Sequence, residues 1–420
     1  MANVEEVLRE AEASPLDGQG FPAALKGLDA RLAAAAVLDM RALLSAVLSL
    51  FACRRVAGAH GYRTRLLLTC FGWIAVRFAY VRKSGAPALF AALGASADRC
   101  TAAARDLVVR CAALCGSFAE GRGLLKRLTG MDLSVSKARA VALAFGAECL
   151  RRQDAAAPDV RAYPERALRE GETKAERTLF AMLDGTGAPC VKADTAGVEG
   201  KDGDAGTRQV RVLVFGEYDR LDKHGRPRPT EGSFSYAVSG EQIAAVTGMV
   251  RKLGIARGYG TVARMQCVAD GEEAIEKAMR DAFPDAVFTN DFMHACTHLH
   301  ACCENLGLPA DAAGREYRFL KGLLYRSGAT AVLKRLDARH AQALASSKEA
   351  AKEAAYLRKR QGNMRYGWLR RNGYLIGSGH VEAAARILVV RRCKQAGMHW
   401  RHLNAVHIAA ILAYFRSSAA

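Results

Sequence analysis

The order of apolar and polar positions divides the chain into a helical first part and a mixed second part. Residues 1–150 are rich in Ala and Leu at helical spacing, whereas residues 151–175 are polar and carry two prolines. After them the apolar residues alternate with polar ones or form short β-branched runs, which is typical of strands. We therefore predict a mostly helical N-terminal domain over residues 1–150, a linker over residues 151–175, and an α/β region from residue 176.

Five strands and several helices are predicted in the second region. The predicted strands are Thr178–Leu183, Gln209–Gly216, Phe234–Val238, Thr261–Ala269 and Ala286–Thr289. The predicted helices are Gly240–Leu253, Glu272–Ala282 and Asp291–Asn305, a helical insertion over residues 306–372, and a final helix from Ser378 to Cys393 within the last segment, residues 373–420. Three strands joined by turns, followed by strand, helix, strand and helix, predict a mixed α/β sheet whose first part spans residues 176–305.

A helix-turn-helix pattern is visible near the end of the N-terminal region. Gly121–Thr129 and Leu133–Cys149 have helical spacing, with a break at Gly130 and a capping serine at Ser134 or Ser136. Lys137 and Arg139 lie in the first turns of the second helix, where a recognition helix meets base edges. The pattern predicts DNA binding by these two residues, but a helical hairpin with a solvated basic face fits the same pattern.

The charge balance favours a polyanionic partner. The sequence has 61 Lys and Arg against 42 Asp and Glu, a net charge of +19, and over half of it lies in Lys348–Arg416, where 14 basic residues face 3 acidic ones. Nucleic acid and anionic membranes are the usual partners of such a surplus. No apolar run long enough to span a membrane and no secretory signal is evident, so we expect a cytoplasmic protein whose 12 cysteines are reduced thiols.

Two aspartates occupy equivalent places in the predicted sheet. Asp184 and Asp270 each follow the apolar part of a predicted strand and precede a glycine. In α/β sheets this edge is where catalytic groups gather, and carboxylate oxygens there select Mg²⁺ or Mn²⁺. An Asp-Gly turn without chemistry is the alternative interpretation of each position.

A third carboxylate, Glu382, lies in a basic helix. Ser378 is placed to cap that helix, and four basic residues follow the glutamate: Arg386, Arg391, Arg392 and Lys394. A glutamate for a cation beside basic side chains for phosphates is typical of a metal-dependent DNA enzyme. The alternative is a helical ion pair between Glu382 and Arg386.

Together these segments resemble a known family. DGTGAP (184–189), VADG (268–271), DFMHACTHL (291–299) and GSGHVEAA with VRRCKQAGMHW (377–400) resemble the DDE transposases of the Kra group of bacterial insertion sequences and, more distantly, Mutator-like transposases. The resemblance implies an RNase H-like core with a helical insertion. It also implies that Asp184, Asp270 and Glu382 are the catalytic and metal-binding residues, with Mg²⁺ or Mn²⁺ as cofactor.

Further residues of the resemblance have a supporting role or depart from the pattern. Asp291 and His294 match an Asp-x-x-His element that would position DNA or brace the site, while a structural pair is the alternative. The residues that follow, His298 and His300 with Cys296, Cys302 and Cys303, would lie on several faces of one helix and so do not predict a zinc site. Relatives carry a cysteine-rich element near residues 69–77, which this chain lacks, so an N-terminal metal module is not expected.

We therefore expect a transposase that cleaves insertion-sequence ends and joins them to target DNA. Its partners would be terminal-repeat and target DNA and, when assembled on DNA, further copies of the same chain, in a cytoplasmic, nucleoid-associated location and without a membrane. A decayed or co-opted DNA-binding protein that occupies terminal repeats is the first alternative. An RNase H-like repair or RNA nuclease is the second.

Overall fold

The computed structural model describes residues 2–16, 23, 27–53, 59–82, 88–95, 98–156, 175–200 and 203–417. The chain divides into two compact units, Met1–Phe145 and Gly146–Ala420.

The first unit combines helices with a β-hairpin. Its elements are α1 (Ala2–Glu12), α2 (Leu28–Ala52), β1 (Tyr62–Thr69), β2 (Gly72–Ala79), α3 (Ala88–Ala92), α4 (Ala102–Leu114), α5 (Phe118–Thr129) and α6 (Val135–Ala156), the last of which runs on into the second unit. The antiparallel hairpin corrects the prediction of a mostly helical region at this point. Gly72 closes its turn with a φ of +107°, which favours glycine. Alternate residues of β2, Ile74, Val76 and Phe78, are buried against α2.

The predicted helix-turn-helix outline is present as α5 and α6. Ser117 begins α5 with a reciprocal capping box to Glu120, so this helix starts three residues before the predicted boundary. Gly130 ends it in the left-handed conformation, and the Ser134 hydroxyl accepts a hydrogen bond of 3.1 Å from the Lys137 amide at the start of α6. Residues 151–156, predicted as linker, are the last turns of α6, and residues 157–174 lie outside the described residues.

A five-stranded mixed sheet forms the centre of the second unit. Its strands are β3 (Ala175–Pro189), β6 (Thr207–Tyr218), β9 (Ser235–Ser239), β10 (Val262–Ala269) and β11 (Val287–Asn290). Their order is β11-β10-β3-β6-β9: the β3–β6 and β6–β9 pairs are antiparallel, and the β3–β10 and β10–β11 pairs are parallel. This confirms the predicted mixed α/β sheet. Two short pairs, β4 (Glu199–Gly200) with β5 (Gly203–Asp204) and β7 (Arg220–Leu221) with β8 (Pro227–Arg228), lie outside it.

Helices cover the sheet and form a separate layer. They are α7 (Lys192–Thr195), α8 (Ile243–Ala256), α9 (Glu273–Ala282), α10 (Phe292–Glu304), α11 (Ala310–Arg326), α12 (Ala329–Ser346), α13 (Lys348–Arg360), α14 (Tyr366–Arg371), α15 (Gly379–Ala385), α16 (Arg391–Cys393) and α17 (His402–Arg416). A π-helical turn, Arg386–Val390, joins α15 to α16, so the predicted final helix is continuous. The last helix, α17, was not predicted, and it contributes a largely buried apolar run to the core.

One helix among the described residues, α2, passes a length and composition test for crossing a membrane, although little of it is buried. A single helix of this kind is weak evidence, and two of its polar residues are engaged inside the first unit. The Asp39 carboxylate accepts hydrogen bonds from the backbone amides of Asn3 and Val4. The Arg41 guanidinium donates to the carbonyl oxygen of Gly130 at 3.2 Å. These contacts are ones that a helix packed within a protein makes.

Candidate active site

Asp184 lies inside strand β3, which corrects its predicted place at a strand end. The strand continues to Pro189 because it stays paired with β6, where Asp184 faces Val212 in register. Its parallel pairing with β10, however, stops at Met182. Asp184 is therefore the second residue beyond the point where β3 loses its neighbour β10. The Gly185 amide donates a hydrogen bond of 2.6 Å to the Asp184 carboxylate.

Asp270 directly follows strand β10, as predicted, and helix α13 holds the turn that it begins. The Asp270 carboxylate accepts a hydrogen bond of 2.9 Å from the Glu272 amide. Its carbonyl oxygen accepts one of 2.7 Å from the Tyr356 hydroxyl. The carbonyl oxygen of Gly271, whose φ is +105°, accepts two from the buried Arg360 guanidinium at 3.0 and 2.7 Å. The backbone around Asp270 is thus fixed by a helix that is distant in sequence.

Glu382 lies in α15 and is held by a serine. The Ser378 hydroxyl donates a hydrogen bond of 2.7 Å to the Glu382 carboxylate. Ser378 occupies the N-cap position but makes no side-chain cap bond, which corrects its predicted capping role. Glu382 is exposed, and the described residues contain no ion pair between it and Arg386. The π-helical turn begins one turn later, and such turns are frequent at functional sites.

Asp184 lies in the electrostatic field of the other two carboxylates. Burial raises the pKa of Asp184 above its ordinary value, and the negative charges of Asp270, Glu382 and Glu272 raise it further, against the lowering effect of the Gly185 amide. The structure thus brings Asp184, Asp270 and Glu382 into one electrostatic neighbourhood, although they come from distant parts of the sequence. In the part of the chain that the structure describes, no three His, Cys, Asp or Glu side chains stand close enough together to hold a metal ion.

Asp291 connects the loops that carry two of these carboxylates. It is 3% exposed, and its own amide donates a hydrogen bond of 2.8 Å to the carbonyl oxygen of Ala269, the residue before Asp270. Its carboxylate accepts from the His294 amide at 2.6 Å, which caps α10, and from the Ser378 amide at 2.7 Å. Both carboxylate oxygens of Asp291 have partners inside the protein, so Asp291 holds the Ala269–Asp270 and Ser378 segments together, which is a structural role.

His294 and its neighbours form a ring cluster beside the Asp270 turn. The imidazoles of His294 and His298 approach to 3.3 Å between their Nε2 atoms, and His298 bonds the Glu353 carboxylate at 2.5 Å. His298 also stacks on Tyr356, with ring centroids 3.5 Å apart. The neighbouring thiols are in the core, where burial raises the pKa of Cys296 and Cys302 to about 11 and that of Cys303 to about 12. They are therefore protonated at neutral pH.

The predicted phosphate-binding residues of the last segment differ in accessibility. Arg386, Arg391 and Lys394 are exposed. Lys394 donates a hydrogen bond of 2.8 Å to the hydroxyl of Thr186, two residues beyond Asp184. Arg392 is 3% exposed, and its guanidinium lies over the Trp400 ring. The structure therefore contradicts a phosphate contact for Arg392, because its position on the helix turns it into the core.

In the first unit, the two predicted DNA-contacting residues also differ. Arg139 is exposed on the outer face of α6. The Lys137 ammonium donates a hydrogen bond to the carbonyl oxygen of Asp98, so it is occupied within its own unit. Around the same turn, Arg122 and Lys126 form ion pairs with Asp132. Arg139 is the better candidate for a contact outside the protein.

Several residues of the site were not predicted. Arg211 extends from β6 over Gly185, where a Cβ would stand 2.4 Å from its guanidinium, and forms an ion pair of 3.5 Å with Glu272. Tyr356 and Arg360 are the helix α13 residues that hold the Asp270 turn. Arg211 could have been found from the sequence, because it is a charged residue within a β-branched strand. Tyr356 and Arg360 gave no signal in the sequence, because their role depends on how the helical layer packs on the sheet.

Comparison with known proteins identifies no family. No family model and no curated protein matches the sequence. One solved structure that it resembles is that of the Drosophila P element transposase strand transfer complex. The TM-score is 0.34 at 10% sequence identity, and the match covers 75% of this chain and 92% of that chain. This structural similarity is too weak to indicate a function. The resemblance of the sequence motifs to the Kra group and to Mutator-like transposases therefore stays a prediction.

Proposed function

We propose that this protein is a DDE transposase of the Kra type that cuts and joins DNA with Asp184, Asp270 and Glu382. The observation that carries the proposal is that the negative charges of Asp270 and Glu382 both raise the pKa of Asp184, although the three residues are distant in sequence. The sheet order supports it, since three antiparallel strands followed by two parallel ones is the arrangement expected of an RNase H-like core. The helical layer α11–α14, between the second and third acids, corresponds to the expected insertion.

The donor set suits a hard divalent cation. Asp184, Asp270 and Glu382 would hold Mg²⁺ or Mn²⁺, because carboxylate oxygens are the preferred ligands of both ions. The raised pKa of Asp184 reflects its burial and the negative charges of Asp270, Glu382 and Glu272, which a cation would offset. When bound, the metal would activate the attacking oxygen and stabilise the leaving oxygen of phosphoryl transfer.

Side chains of the protein position the carboxylates and bind the DNA phosphates. Tyr356 and Arg360 keep the Asp270 turn in place, and Ser378 holds the Glu382 carboxylate. Lys394, beside Thr186 on the strand of Asp184, is placed to bind a phosphate near the reacting group. In the proposed reaction, water cleaves a phosphodiester at the element end and leaves a 3′-hydroxyl. That hydroxyl attacks a phosphodiester of target DNA and displaces the 3′ oxygen of the target strand.

The proposed partners follow from charge and from the reaction. A net charge of +19 favours DNA, and we propose terminal-repeat and target DNA as the substrates. Because two element ends must be joined to one target, we further propose that the chain assembles as a homo-oligomer on DNA in the cytoplasm.

A non-catalytic DNA-binding protein is the second candidate. Two observations favour it: the described residues contain no group of three side chains close enough to hold a metal, and the exposed Glu382 carboxylate accepts a hydrogen bond from Ser378. Such a protein would occupy terminal repeats without cutting them.

The two candidates differ in one assay. Purified protein is incubated with labelled duplexes that carry the element ends, with Mg²⁺, with Mn²⁺ and with EDTA. The transposase proposal expects metal-dependent cleavage and joined products from the wild type and loss of both in Asp184→Asn, with binding in EDTA unchanged. Asp281→Asn is the matched control, since Asp281 is exposed and paired with Lys277 on α9. Binding by the wild type without cleavage in either metal would refute the proposal and support the non-catalytic candidate.

A further inference from the structure

A concave site lies next to the start of α15. It has a volume of about 960 Å³. The β7–β8 hairpin forms one wall, and the ends of α11 and α14 form the other. The floor is the segment from Tyr374 to His380, which leads into the helix of Glu382.

The cleft carries positive charge that the protein does not neutralise. Arg326, Arg370 and Arg371 line it, and none of them forms an ion pair with a carboxylate in the described part of the chain. The one acid of the lining, Asp222, is already engaged. It pairs with Arg226 at 2.8 Å and accepts hydrogen bonds from the amides of His224 and Arg226. A surplus of guanidinium groups in a recess favours an anionic ligand.

Aromatic and apolar groups lie between the charges. The Arg370 guanidinium stacks on Tyr325, 3.6 Å from the ring centroid, which holds its plane fixed. Leu221 and Ile376 add apolar surface to the lining, whereas the Tyr374 ring is buried between Trp368 and the Arg264 guanidinium. Phosphate-binding arginines among aromatic and apolar surfaces are typical of sites for unpaired nucleic acid, where backbone and bases are bound together.

Close backbone packing keeps the walls in place. A Cβ at Gly367 would lie 2.0 Å from the carbonyl oxygen of Arg326, so α14 and the end of α11 are in direct contact. A Cβ at Gly373, whose φ is +69°, would lie 3.2 Å from Leu221 of the hairpin. The cleft is therefore formed by touching elements and is available before a ligand arrives.

We propose that this cleft binds an unpaired DNA strand, with phosphates on Arg326 and Arg371 and bases against the stacked Tyr325–Arg370 pair and the apolar side chains beside it. The choice of DNA rests on the proposed function. A recess of about 960 Å³ is within the range of sites that enclose small molecules, so it takes a few nucleotides and not a duplex. Through Gly379 and His380 the cleft adjoins the helix of Glu382, so it receives a strand that has separated from its complement beside the reacting phosphate.

The test measures binding apart from cleavage. Fluorescence anisotropy of a labelled thymidine 12-mer is recorded with the full chain in EDTA, over a range of salt concentrations, for the wild type and for Arg326→Ala/Arg371→Ala. The double variant should bind at least tenfold more weakly, and its salt slope should fall by about 1.4, since each phosphate contact on a single strand contributes about 0.7. Arg315→Ala/Arg318→Ala is the matched control, because it removes the same charge from exposed positions of α11 outside the cleft.

Three results would overturn the proposal. The first is an affinity of Arg326→Ala/Arg371→Ala for the 12-mer equal to that of the wild type. The second is an equal loss of affinity in Arg315→Ala/Arg318→Ala. The third is an equal loss of affinity for a duplex of the same length, which would indicate a surface that binds phosphates of any DNA. Melting curves show whether each variant is folded. Because no metal is present, the result is independent of catalysis. If the protein never cuts DNA but needs Arg326 and Arg371 to bind single strands, the proposed function is refuted and the cleft proposal stands.

Discussion

Replacing Asp184 with Asn should stabilise the protein in the absence of metal. Burial and the charges of Asp270, Glu382 and Glu272 raise the pKa of Asp184 above the ordinary 3.8. A raised folded-state pKa means that the folded protein binds the proton more tightly than the unfolded chain. The stability from that proton is complete below pH 3.8 and is lost as the pH rises through the folded-state pKa. Asn does not ionise, so the variant avoids this loss.

The gain is expected to be about 1 kcal/mol at neutral pH, the usual size for relief of an unfavourable charge. For a unit of this size, that corresponds to a rise in Tm of about 2 °C. Added Mg²⁺ should reverse the order, because a cation offsets the repulsion in the wild type but finds one ligand fewer in the variant. The wild type should then have the higher Tm.

Thermal melts in EDTA and in Mg²⁺, at pH values from 4 to 8, measure both effects. Asp194→Asn is the matched control with the opposite sign, since the His402 amide and the Arg401 guanidinium lower the pKa of Asp194. That variant should lose stability at neutral pH and respond to Mg²⁺ as the wild type does. If Asp184→Asn melts below the wild type in EDTA at pH 8, the carboxylates do not repel one another as argued. If Mg²⁺ shifts both proteins equally, Asp184 is not a ligand.

Three further predictions concern packing and DNA binding. Lys394→Ala should lower the salt slope of duplex binding by about 0.9, whereas Arg392→Ala, which empties a buried place, should leave the slope unchanged and destabilise the fold by about 2 kcal/mol in urea melts. Gly367→Ala should cost about 3 kcal/mol because its Cβ meets a backbone carbonyl, while Gly362→Ala, with open space, should change stability by less than about 0.5 kcal/mol. Gln153→Ala should leave the amide and carbonyl of Val238, in edge strand β9, without their side-chain partner and cause concentration-dependent association in light scattering. Equal salt slopes, equal stabilities and light scattering unchanged from the wild type would contradict the first, second and third prediction respectively.

The sequence predicted the elements whose apolar period is regular. Strands β6, β9, β10 and β11 and helices α8, α9 and α10 lie within a few residues of their predicted bounds, because alternation and helical spacing are local properties of the chain. The hairpin β1–β2 was missed because its apolar run looks like a helical stretch when the turn at Gly72 is not recognised. Helix α17 was missed because its residues are apolar on nearly every face, as a fully buried helix requires.

The candidate site was predicted only in part for the same reason. The sequence indicated that Asp184, Asp270 and Glu382 belong to one kind of chemistry, since carboxylates beside glycines and basic residues are local signals. Tertiary structure decided the rest. Register with β6 carries β3 past Asp184. Helix orientation turns Arg392 inward and leaves Lys394 outside.

Packing of the helical layer on the sheet brings in groups that no local pattern marks. Tyr356 and Arg360 reach the Asp270 turn across more than 80 residues of sequence, and the arginines of the cleft come from α11 and α14. Charge and the period of apolar residues are local properties, so they can be deduced from the sequence alone. Which charges end up neutralised, buried or facing a cleft depends on contacts between distant segments, and only the folded chain determines them.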